Sequence, residues 1–276
     1  VDGQKRLHTH LNQTGTTTGR MSSDSPNLQN IPAAVRQAFI AAPGFKWCSF
    51  DYSQIEVRVL ALLSGDPGLL KIFQAGEDVH TAVAATVFGV SRDQVNKEMR
   101  RRAKVINFGI IYGMGVNALK ANLGSTREEA QRFYDQYFVS FPKIRSYFDE
   151  VITEARKIGY TETLFGRRRY FPGLKSRLPF VKAMNERMAM NAPLQGTAAD
   201  IVKLAMIEVD EMLEAEKLDN QAFLLLQVHD ELLYEIKEEA VPKLLPKIQA
   251  AMSRVVEGGV PFTVHAAAAD NWGEVK

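Results

Sequence analysis

Three carboxylates, in two widely separated parts of the chain, have the chemistry of a metal-assisted site. Asp51 lies near the end of the apolar run FKWCSFDY (45–52), and Asp230 and Glu231 follow the apolar run LLLQV. If both runs are strands of one sheet, these acids can meet at one edge, where carboxylate oxygens suit hard cations such as Mg²⁺. Two such ions can activate an attacking oxygen and stabilise a leaving one. Each acid alone also fits an ordinary turn or helix cap, so the hypothesis depends on their convergence.

A second group follows helical spacing in the segment MRRRAKVINFGIIYG (99–113). Arg100, Lys104, Phe108 and Tyr112 recur every four residues and would form a stripe about 18 Å long on a helix. The cations could meet phosphates, Arg by a bidentate fork and Lys as a point charge, and the rings could meet a sugar and a base. The same spacing also fits a solvated basic face followed by an aromatic core stripe, and spacing alone does not separate the two interpretations.

The strands and helices that must position these groups can be predicted from the sequence. They indicate a mixed α/β chain with a helical insertion between two strand-bearing parts. Residues 1–34 are polar and favour turns or edge strands. Strands are predicted at 45–52, 160–164, 168–171, 222–228, 232–236 and 262–268. Helices are predicted after Tyr52 as far as Gly65, and then over 69–75, 79–88, 93–112, 126–138, 142–159, 180–216 and 239–256. Pro193 is expected to bend or split the longest of them.

Composition excludes several classes of protein. The 276 residues are 46% hydrophobic and 24% charged, which is typical of a globular chain and excludes disorder, collagen and a disulfide scaffold. Cys48 is the single cysteine, and no apolar run is long enough to span a membrane. The net charge of +2 hides a division, because residues 206–240 hold eleven acids and two bases. That segment carries −9 and the remainder +11, so a nucleic-acid partner is compatible with the total.

Three segments in order resemble motifs A, B and C of the family A DNA polymerases, the DNA polymerase I family: DYSQIEVRVLALLSGD (51–66), RRRAKVINFGIIYG (100–113) and LLQVHDELLYEI (225–236). Four linking segments are also similar: TGRMSSDSPNLQNIP (18–32), DVHTAVA (78–84), ETLFGRRRYFP (162–172) and NAPLQGTAAD (191–200). The resemblance covers essentially the whole chain. It implies a palm with an antiparallel sheet, residues 1–64 and 197–276, and an inserted helical fingers subdomain, residues 65–196. The family's thumb is absent from this sequence, and the connection across 31–39 is shorter than usual.

The resemblance implies a DNA-directed DNA polymerase that adds deoxynucleoside triphosphates to a primer 3′-hydroxyl and releases pyrophosphate. Asp51 and Asp230 would bind two Mg²⁺ ions, which Mn²⁺ can replace, with help from the Tyr52 carbonyl and with Glu231 as a supporting acid. Arg100, Lys104 and His80 would hold the triphosphate, and Phe108 would pack on the deoxyribose. Glu56, with Tyr112, would exclude a 2′-hydroxyl.

The resemblance also implies contacts with primer–template DNA. Arg20, Gln195 and His229 would read minor-groove acceptors near the primer end, where every correct pair presents an acceptor. Asn27, Gln29 and Asn30 would add primer or template contacts. Ordinary structural roles stay open for three residues: His80 as a satisfied histidine at a helix start, Gln195 as a cap, and Glu56 as an exposed helix residue.

Other classes of function remain to be separated from a polymerase by experiment. A thumbless chain could bind nucleotide or DNA without turnover, and a two-metal carboxylate site could also serve a nuclease. An RNA polymerase relative is a third alternative, against which the Glu56 gate argues. For a bacterial source the resemblance implies a cytoplasmic, nucleoid-associated monomer that binds no membrane, and an origin in a phage or an organelle stays open.

Overall fold

The computed structural model describes residues 2–3 and 5–275, which form two compact units. The first unit contains the chain up to Ile55, Ala198–Glu257 and the chain from Phe262 onward. The second contains Glu56–Thr197 and Gly258–Pro261. Each unit is therefore assembled from segments that are distant in sequence. Among the described residues, no helix is both long enough and apolar enough to cross a bilayer.

The strands are β1 (His10–Asn12), β2 (Ser22–Asp24), β3 (Phe45–Tyr52), β4 (Tyr160–Glu162), β5 (Arg168–Tyr170), β6 (Ala222–Val228), β7 (Glu231–Lys237) and β8 (Val264–Ala269). The α-helices are α1 (Ala33–Arg36), α2 (Ile55–Ser64), α3 (Pro67–Gln74), α4 (Val79–Phe88), α5 (Lys97–Ile111), α6 (Val116–Leu123), α7 (Arg127–Ser140), α8 (Pro142–Ile158), α9 (Pro179–Ala215) and α10 (Val241–Ser253). The mixed α/β class and the antiparallel sheet inferred from the sequence are confirmed.

A four-stranded antiparallel sheet, in the order β6–β7–β3–β8, forms the centre of the first unit. Cys48 and Phe50 of β3 and Leu232 and Leu233 of β7 have no exposed surface, because the two middle strands are covered. One part of the core stacks the indole of Trp47 on that of Trp272, with ring centroids 6.1 Å apart. Burial of such large apolar surfaces is what holds the middle strands rigidly in register.

The second unit is built around α3–α8, with the β4–β5 hairpin beside them. Asp66, which has no exposed surface, caps two of these helices at once. Its Oδ1 accepts the N–H of Leu69 in α3, and its Oδ2 accepts the N–H of Lys143 in α8, each at 3.1 Å. Both helices begin with proline, which has no N–H to satisfy at that position. One carboxylate therefore fixes the starts of two helices.

The observed elements differ from the sequence predictions in a few places. Glu231, which was placed in the turn between the predicted strands 222–228 and 232–236, is the first residue of β7. The longest helix, α9, continues across Pro193 without a break. Ala189 and Leu194 on either side of this proline have no exposed surface, so packing compensates for the lost hydrogen bond. The units divide after Ile55 and after Thr197, and the palm and fingers names stay predictions.

Candidate active site

The carboxylates predicted from the two apolar runs meet at one edge of the sheet. Asp51 of β3 is the register partner of Glu231 at the start of β7. The backbone N–H of Tyr52 donates to the carbonyl of Asp230 at 3.2 Å. His229 precedes them in the left-handed region, with φ of 54°, and so turns the chain sharply between β6 and β7. The tight turn places two consecutive acids opposite the end of β3.

The charges of these acids act on one another. Desolvation, with the nearby charges of Glu231 and Asp230, raises the pKa of Asp51 to about 7. Desolvation also raises the pKa of Asp230, although Arg20 and His229 oppose that shift. Asp51 as a residue remains exposed, while its carboxyl group is desolvated and lies near two other negative charges. Such a site gains from a bound cation.

The donor set at this edge fits a hard divalent cation. A cavity of about 390 Å³ is lined by Asp51, Asp230 and Glu231, together with Ser49 and His265. The hydroxyl of Ser49 donates to Oε1 of Glu231 and orients that carboxylate. No three His, Cys, Asp or Glu side chains within 2–3 and 5–275 converge into a complete metal cage. Mg²⁺ commonly takes only one or two protein carboxylates and completes its shell with water and phosphate.

Tyr52 and Arg20 lie beside the acids in different ways. The hydroxyl of Tyr52 donates to the carbonyl of Met252 at 2.7 Å, and the side chain is buried. Tyr52 can therefore offer a cation its backbone carbonyl but not its hydroxyl. Nη2 of Arg20 lies 3.6 Å from Oδ1 of Asp230. The predicted DNA contact Arg20 is thus held at the acidic edge by a predicted metal ligand.

The other predicted DNA contacts of the first unit surround β2 and the β6–β7 turn. Asn27 caps the short 3₁₀ helix Leu28–Asn30 by accepting the N–H of Gln29 at 3.0 Å. The side-chain amide of Gln29 donates to the backbone and side-chain oxygens of Gln227, at 3.1 and 3.0 Å. Asn30 and His229 are exposed. The side-chain N–H₂ of Gln29 is therefore occupied by hydrogen bonds within the fold, whereas Asn30 and His229 are exposed to solvent.

Gln195 belongs to the second unit and lies inside α9. Gln195 is half-buried, and its two neighbours, Leu194 and Gly196, are buried. The carbonyl of Gly196 accepts a hydrogen bond from Arg167 at 2.9 Å. The alternative role of Gln195 as a helix cap is wrong, because α9 continues for twenty residues beyond it. Whether Gln195 contacts DNA stays a prediction.

The cationic and aromatic stripe lies on the exposed side of α5. Arg100, Lys104 and Tyr112 are exposed and Phe108 is half-buried, whereas Ala103, Ile106 and Ile110 are buried on the other side. The rings of Phe108 and Tyr112 stack with centroids 6.2 Å apart, and Nζ of Lys104 lies 5.9 Å from the Phe108 centroid. Phe108 and Tyr112 therefore do not form the aromatic core of the alternative interpretation, whereas the exposure of Arg100 and Lys104 fits both triphosphate contacts and a solvated basic face.

An acid that the sequence analysis did not assign holds Arg100 in place. Asp78 accepts Nε and Nη2 of Arg100 at 2.9 and 2.8 Å. It also caps α4 by accepting the N–H of Thr81 at 2.8 Å. Burial alone would raise the pKa of Asp78, but hydrogen bonds from Arg100 and Thr81 outweigh it and hold the pKa below its usual range. An acid directly before a helix was a visible cap signal, but its pairing with Arg100 was not.

The two residues of the predicted sugar gate are joined. The hydroxyl of Tyr112 donates to Oε2 of Glu56 at 2.8 Å. Glu56 is only 4% exposed, so the alternative of an ordinary exposed helix residue is wrong. The buried Glu56 carboxylate is held rigidly by the Tyr112 hydroxyl, because moving it would break a hydrogen bond to a buried charge.

His80 is buried, as expected of a satisfied histidine at a helix start. It is 2% exposed, and its Nδ1 lies 3.1 Å from the side-chain amide of Asn107, whose N–H₂ can only donate. Desolvation lowers the pKa of His80 to about 4, so the ring is neutral at pH 7. The predicted triphosphate contact stays a prediction, and Asn107 is a neighbour that the sequence analysis missed.

The first unit of this mixed α/β protein has a cluster of acids at one edge of its sheet. The second unit has an exposed row of cations and stacked aromatic rings. Both sets of side chains are suited to binding a ligand. The family model described as "DNA polymerase family A" matches residues 1–274. The chain therefore belongs to DNA polymerase family A.

Three relatives show how far the similarity extends. The chain is 48% identical to "DNA polymerase I, thermostable" of Thermus aquaticus over 97% of its length and 32% of that relative. It is 46% identical to "DNA polymerase I" of Pseudomonas aeruginosa over 98% of its length and 30% of that relative. A solved structure, "POL domain of Pol1 from M. smegmatis complex with DNA primer-template and dNTP", aligns with TM-score 0.96 and 42% identity. It matches all of this chain and 49% of that one. The chain spans about a third of the length of its curated relatives.

Proposed function

We propose that the chain is the catalytic core of a DNA-directed DNA polymerase, a nucleotidyltransferase that extends a primer 3′-hydroxyl with deoxynucleoside triphosphates and releases pyrophosphate. The observation that carries this proposal is the register of β3 against β7, which brings Asp51 to Glu231 and to the adjacent Asp230. Membership of the family and the likeness to a polymerase domain solved with primer–template and dNTP support it. In this proposal the unit with the four-stranded sheet is the palm and the other is the fingers.

Polymerases of this family depend on metal ions, and we assign two Mg²⁺ ions, replaceable by Mn²⁺, to this chain. Asp51, Asp230 and the Tyr52 carbonyl would hold them, and Glu231 would support the site from its bond to Ser49. When bound, the ions would lower the pKa of the primer hydroxyl and neutralise charge on the phosphates. The chain's own contribution is to keep oxygen donors at one fixed edge.

Arg100 and Lys104 are proposed to bind the triphosphate, with His80 assisting and Phe108 against the deoxyribose. Phosphoryl transfer depends chiefly on positioning and neutralising charge, which these cations supply. Arg100 reaches a phosphate by exchanging the Asp78 carboxylate for it, since both accept the same guanidinium fork. Asp78 therefore keeps the Arg100 side chain ordered while the nucleotide is absent.

Glu56 and Tyr112 are proposed to exclude ribonucleotides. The hydrogen bond between them fixes the Glu56 carboxylate where a 2′-hydroxyl would need space. Arg20, Gln195 and His229 are proposed to read the minor groove, and Asn27, Gln29 and Asn30 to contact primer or template. For DNA to reach Arg20, the guanidinium must leave the Asp230 carboxylate, which a bound cation at that carboxylate would promote.

The test is primer extension by the chain itself and by a longer parent, with Mg²⁺ and labelled primer–template. Asp230→Asn should lower the rate about a thousandfold, which corresponds to about 4 kcal/mol of lost transition-state stabilisation. Asp219→Asn is the matched control, because Asp219 is an exposed acid of the same segment. Undiminished extension by Asp230→Asn would refute the metal assignment, and DNA degradation without nucleotide would favour a nuclease.

We also propose, for a bacterial source, a monomer that works in the cytoplasm close to the nucleoid. Monomer mass in sedimentation, without and with primer–template, is the measurement that checks the oligomeric state.

A further inference from the structure

One arginine lies in the wall of the acidic cavity and has no role in the reaction proposed so far. The cavity of about 390 Å³ that is lined by Asp51, Asp230 and Glu231 is also lined by Arg36. All four residues belong to the first unit, and Arg36 is the last residue of α1. A guanidinium in this wall gives the cavity a place for an anion, beside the place that the acids give to a cation.

Two contacts hold the side chain of Arg36 in place. Its guanidinium carbon lies 4.5 Å from the centroid of the Trp272 ring, so the cation rests on the indole. Nε of Arg36 donates to the carbonyl of Ile31 at 3.3 Å. Trp272 is buried and stacks in turn on Trp47, so the surface under the guanidinium is rigid. These contacts use Nε and one face of the guanidinium, and they do not use the Nη1 and Nη2 groups.

The positive charge of Arg36 is not balanced by a neighbouring acid. In the part of the chain that the structure describes, no carboxylate is in an ion pair with Arg36, whereas Arg20 and Arg100 each have one. Arg36 is half-buried, so water compensates its charge only in part. A guanidinium that is held in position and has its terminal N–H groups available is suited to binding a phosphate by two parallel hydrogen bonds.

The size of the cavity limits which phosphate Arg36 can reach. A round cavity of about 390 Å³ is about 9 Å across, which is two to three times the spacing of about 3.4 Å between successive nucleotides of one strand. In the proposed reaction the primer 3′-hydroxyl reacts beside Asp51 and Asp230. The phosphates that fall within the same cavity are therefore those of the last two or three primer nucleotides.

We propose that Arg36 binds a backbone phosphate of the primer strand, within about three nucleotides of its 3′ end, and thereby positions the 3′-hydroxyl at the acidic edge. The carboxylates would repel that phosphate, and the charge of Arg36 in the same cavity offsets part of the repulsion. Arg36 is a positioning residue, since it contacts the strand and not the reacting atoms. The proposal rests on the proposed polymerase function for the identity of the strand.

The experiment replaces one primer phosphate at a time with a neutral methylphosphonate, over about the last six positions. Affinity for primer–template is measured by fluorescence anisotropy with Mg²⁺ and without dNTP, on the chain and on a longer parent. For the unaltered chain we expect one position among the last three to weaken binding about tenfold. Arg36→Gln should weaken binding of the all-phosphate primer by a similar factor and should be insensitive to methylphosphonate at that position, because both changes remove the same contact.

Arg254→Gln is the matched control, because Arg254 is an exposed arginine of the same unit that does not line the cavity. It should be as sensitive to that methylphosphonate as the unaltered chain. Arg36→Lys keeps the charge but loses the fork, so it should recover only part of the affinity. In single-turnover extension Arg36→Gln should lower the maximal incorporation rate and leave the apparent Kd for dNTP unchanged, because the primer end and not the nucleotide is misplaced.

Two results would overturn the role of Arg36. One is a scan of the unaltered chain without a sensitive position among the last three nucleotides, a measurement that does not depend on the folding of any variant. The other is equal sensitivity of Arg36→Gln and the unaltered chain at every position. Failure of the unaltered chain to extend any primer refutes the proposed function instead. An Arg36-dependent sensitive position would still support the phosphate contact in that case, because the binding assay needs no incorporation, so the two failures are distinguishable.

Discussion

Asp78 should restrain nucleotide binding by holding Arg100. Replacing Asp78 with Asn removes the negative charge, while its side-chain oxygen can still accept the N–H of Thr81 that caps α4. The pair with Arg100 is bidentate, but Arg100 is 47% and Asp78 34% exposed, so solvent screens much of the attraction. We therefore assign the pair the upper end of the range for exposed ion pairs, about 1 kcal/mol. Released from that pair, Arg100 should bind triphosphate about fivefold more tightly.

The assay is single-turnover incorporation over a range of dNTP concentrations, at low and at high salt. For Asp78→Asn we expect the apparent Kd for dNTP to fall about fivefold at low salt, and the difference from the unaltered chain to shrink at high salt. Asp78→Ala is the control that also loses the α4 cap, and it should lower the unfolding free energy by about 1 kcal/mol. An unchanged or weaker dNTP affinity in a normally folded Asp78→Asn chain would refute the exchange of carboxylate for phosphate.

Three further predictions follow from buried polar groups. The pKa of His80 is lowered to about 4 in the folded chain, whereas an unfolded histidine takes up a proton at about pH 6.5. Because the unfolded state is protonated at the higher pH, the free energy of unfolding should fall as pH falls from about 6.5 to about 4. His80→Asn should remove up to about 3 kcal/mol of that loss in urea titrations, and identical pH profiles would contradict it. Asp66→Ala should cost about 2–4 kcal/mol in the same titrations, because it removes two helix caps and leaves the buried N–H of Leu69 without its acceptor. A cost below about 1 kcal/mol would show that the second unit does not depend on these two caps. Glu56→Ala should raise ribonucleotide insertion at least about tenfold in primer extension with little change for deoxynucleotides, and an unchanged ratio of the two would remove the gate.

Local signals predicted much of the fold. The run 45–52 is a strand with the predicted bounds because its residues are mostly buried between β7 and β8. Thr126, the first residue of the predicted helix 126–138, caps α7 by accepting the N–H of Glu129. The continuity of α9 across Pro193 was not predictable, because it depends on burial of the flanking residues by distant parts of the chain.

The candidate site was predictable in its residues but not in its contacts. The spacing of Arg100 and Lys104 left two interpretations open, and their exposure fits both of them, whereas the exposure of Tyr112 argues against an aromatic core. The resemblance supplied roles for Glu56 and Tyr112, whereas the hydrogen bond between them joins residues 56 positions apart. The pairing of Asp78 with Arg100 spans 22 positions and depends on how α4 packs against α5. Sequence patterns describe neighbours within one helix or strand, and these pairs lie outside that range.

These pairs have a common consequence for how the protein meets its ligands. Arg20 is held by Asp230, Arg100 by Asp78 and the Tyr112 hydroxyl by Glu56, each within its own unit. These three donors already have an acidic partner, so they are ordered beforehand and lose less conformational entropy on binding. For Arg100, the cost is that the ligand must displace the Asp78 carboxylate. A phosphate with its accompanying cation can do so, because it replaces a negative partner with another, whereas a neutral nucleoside cannot. The arrangement therefore favours charged, metal-bound nucleotides over nucleosides by exchange of one anionic partner for another.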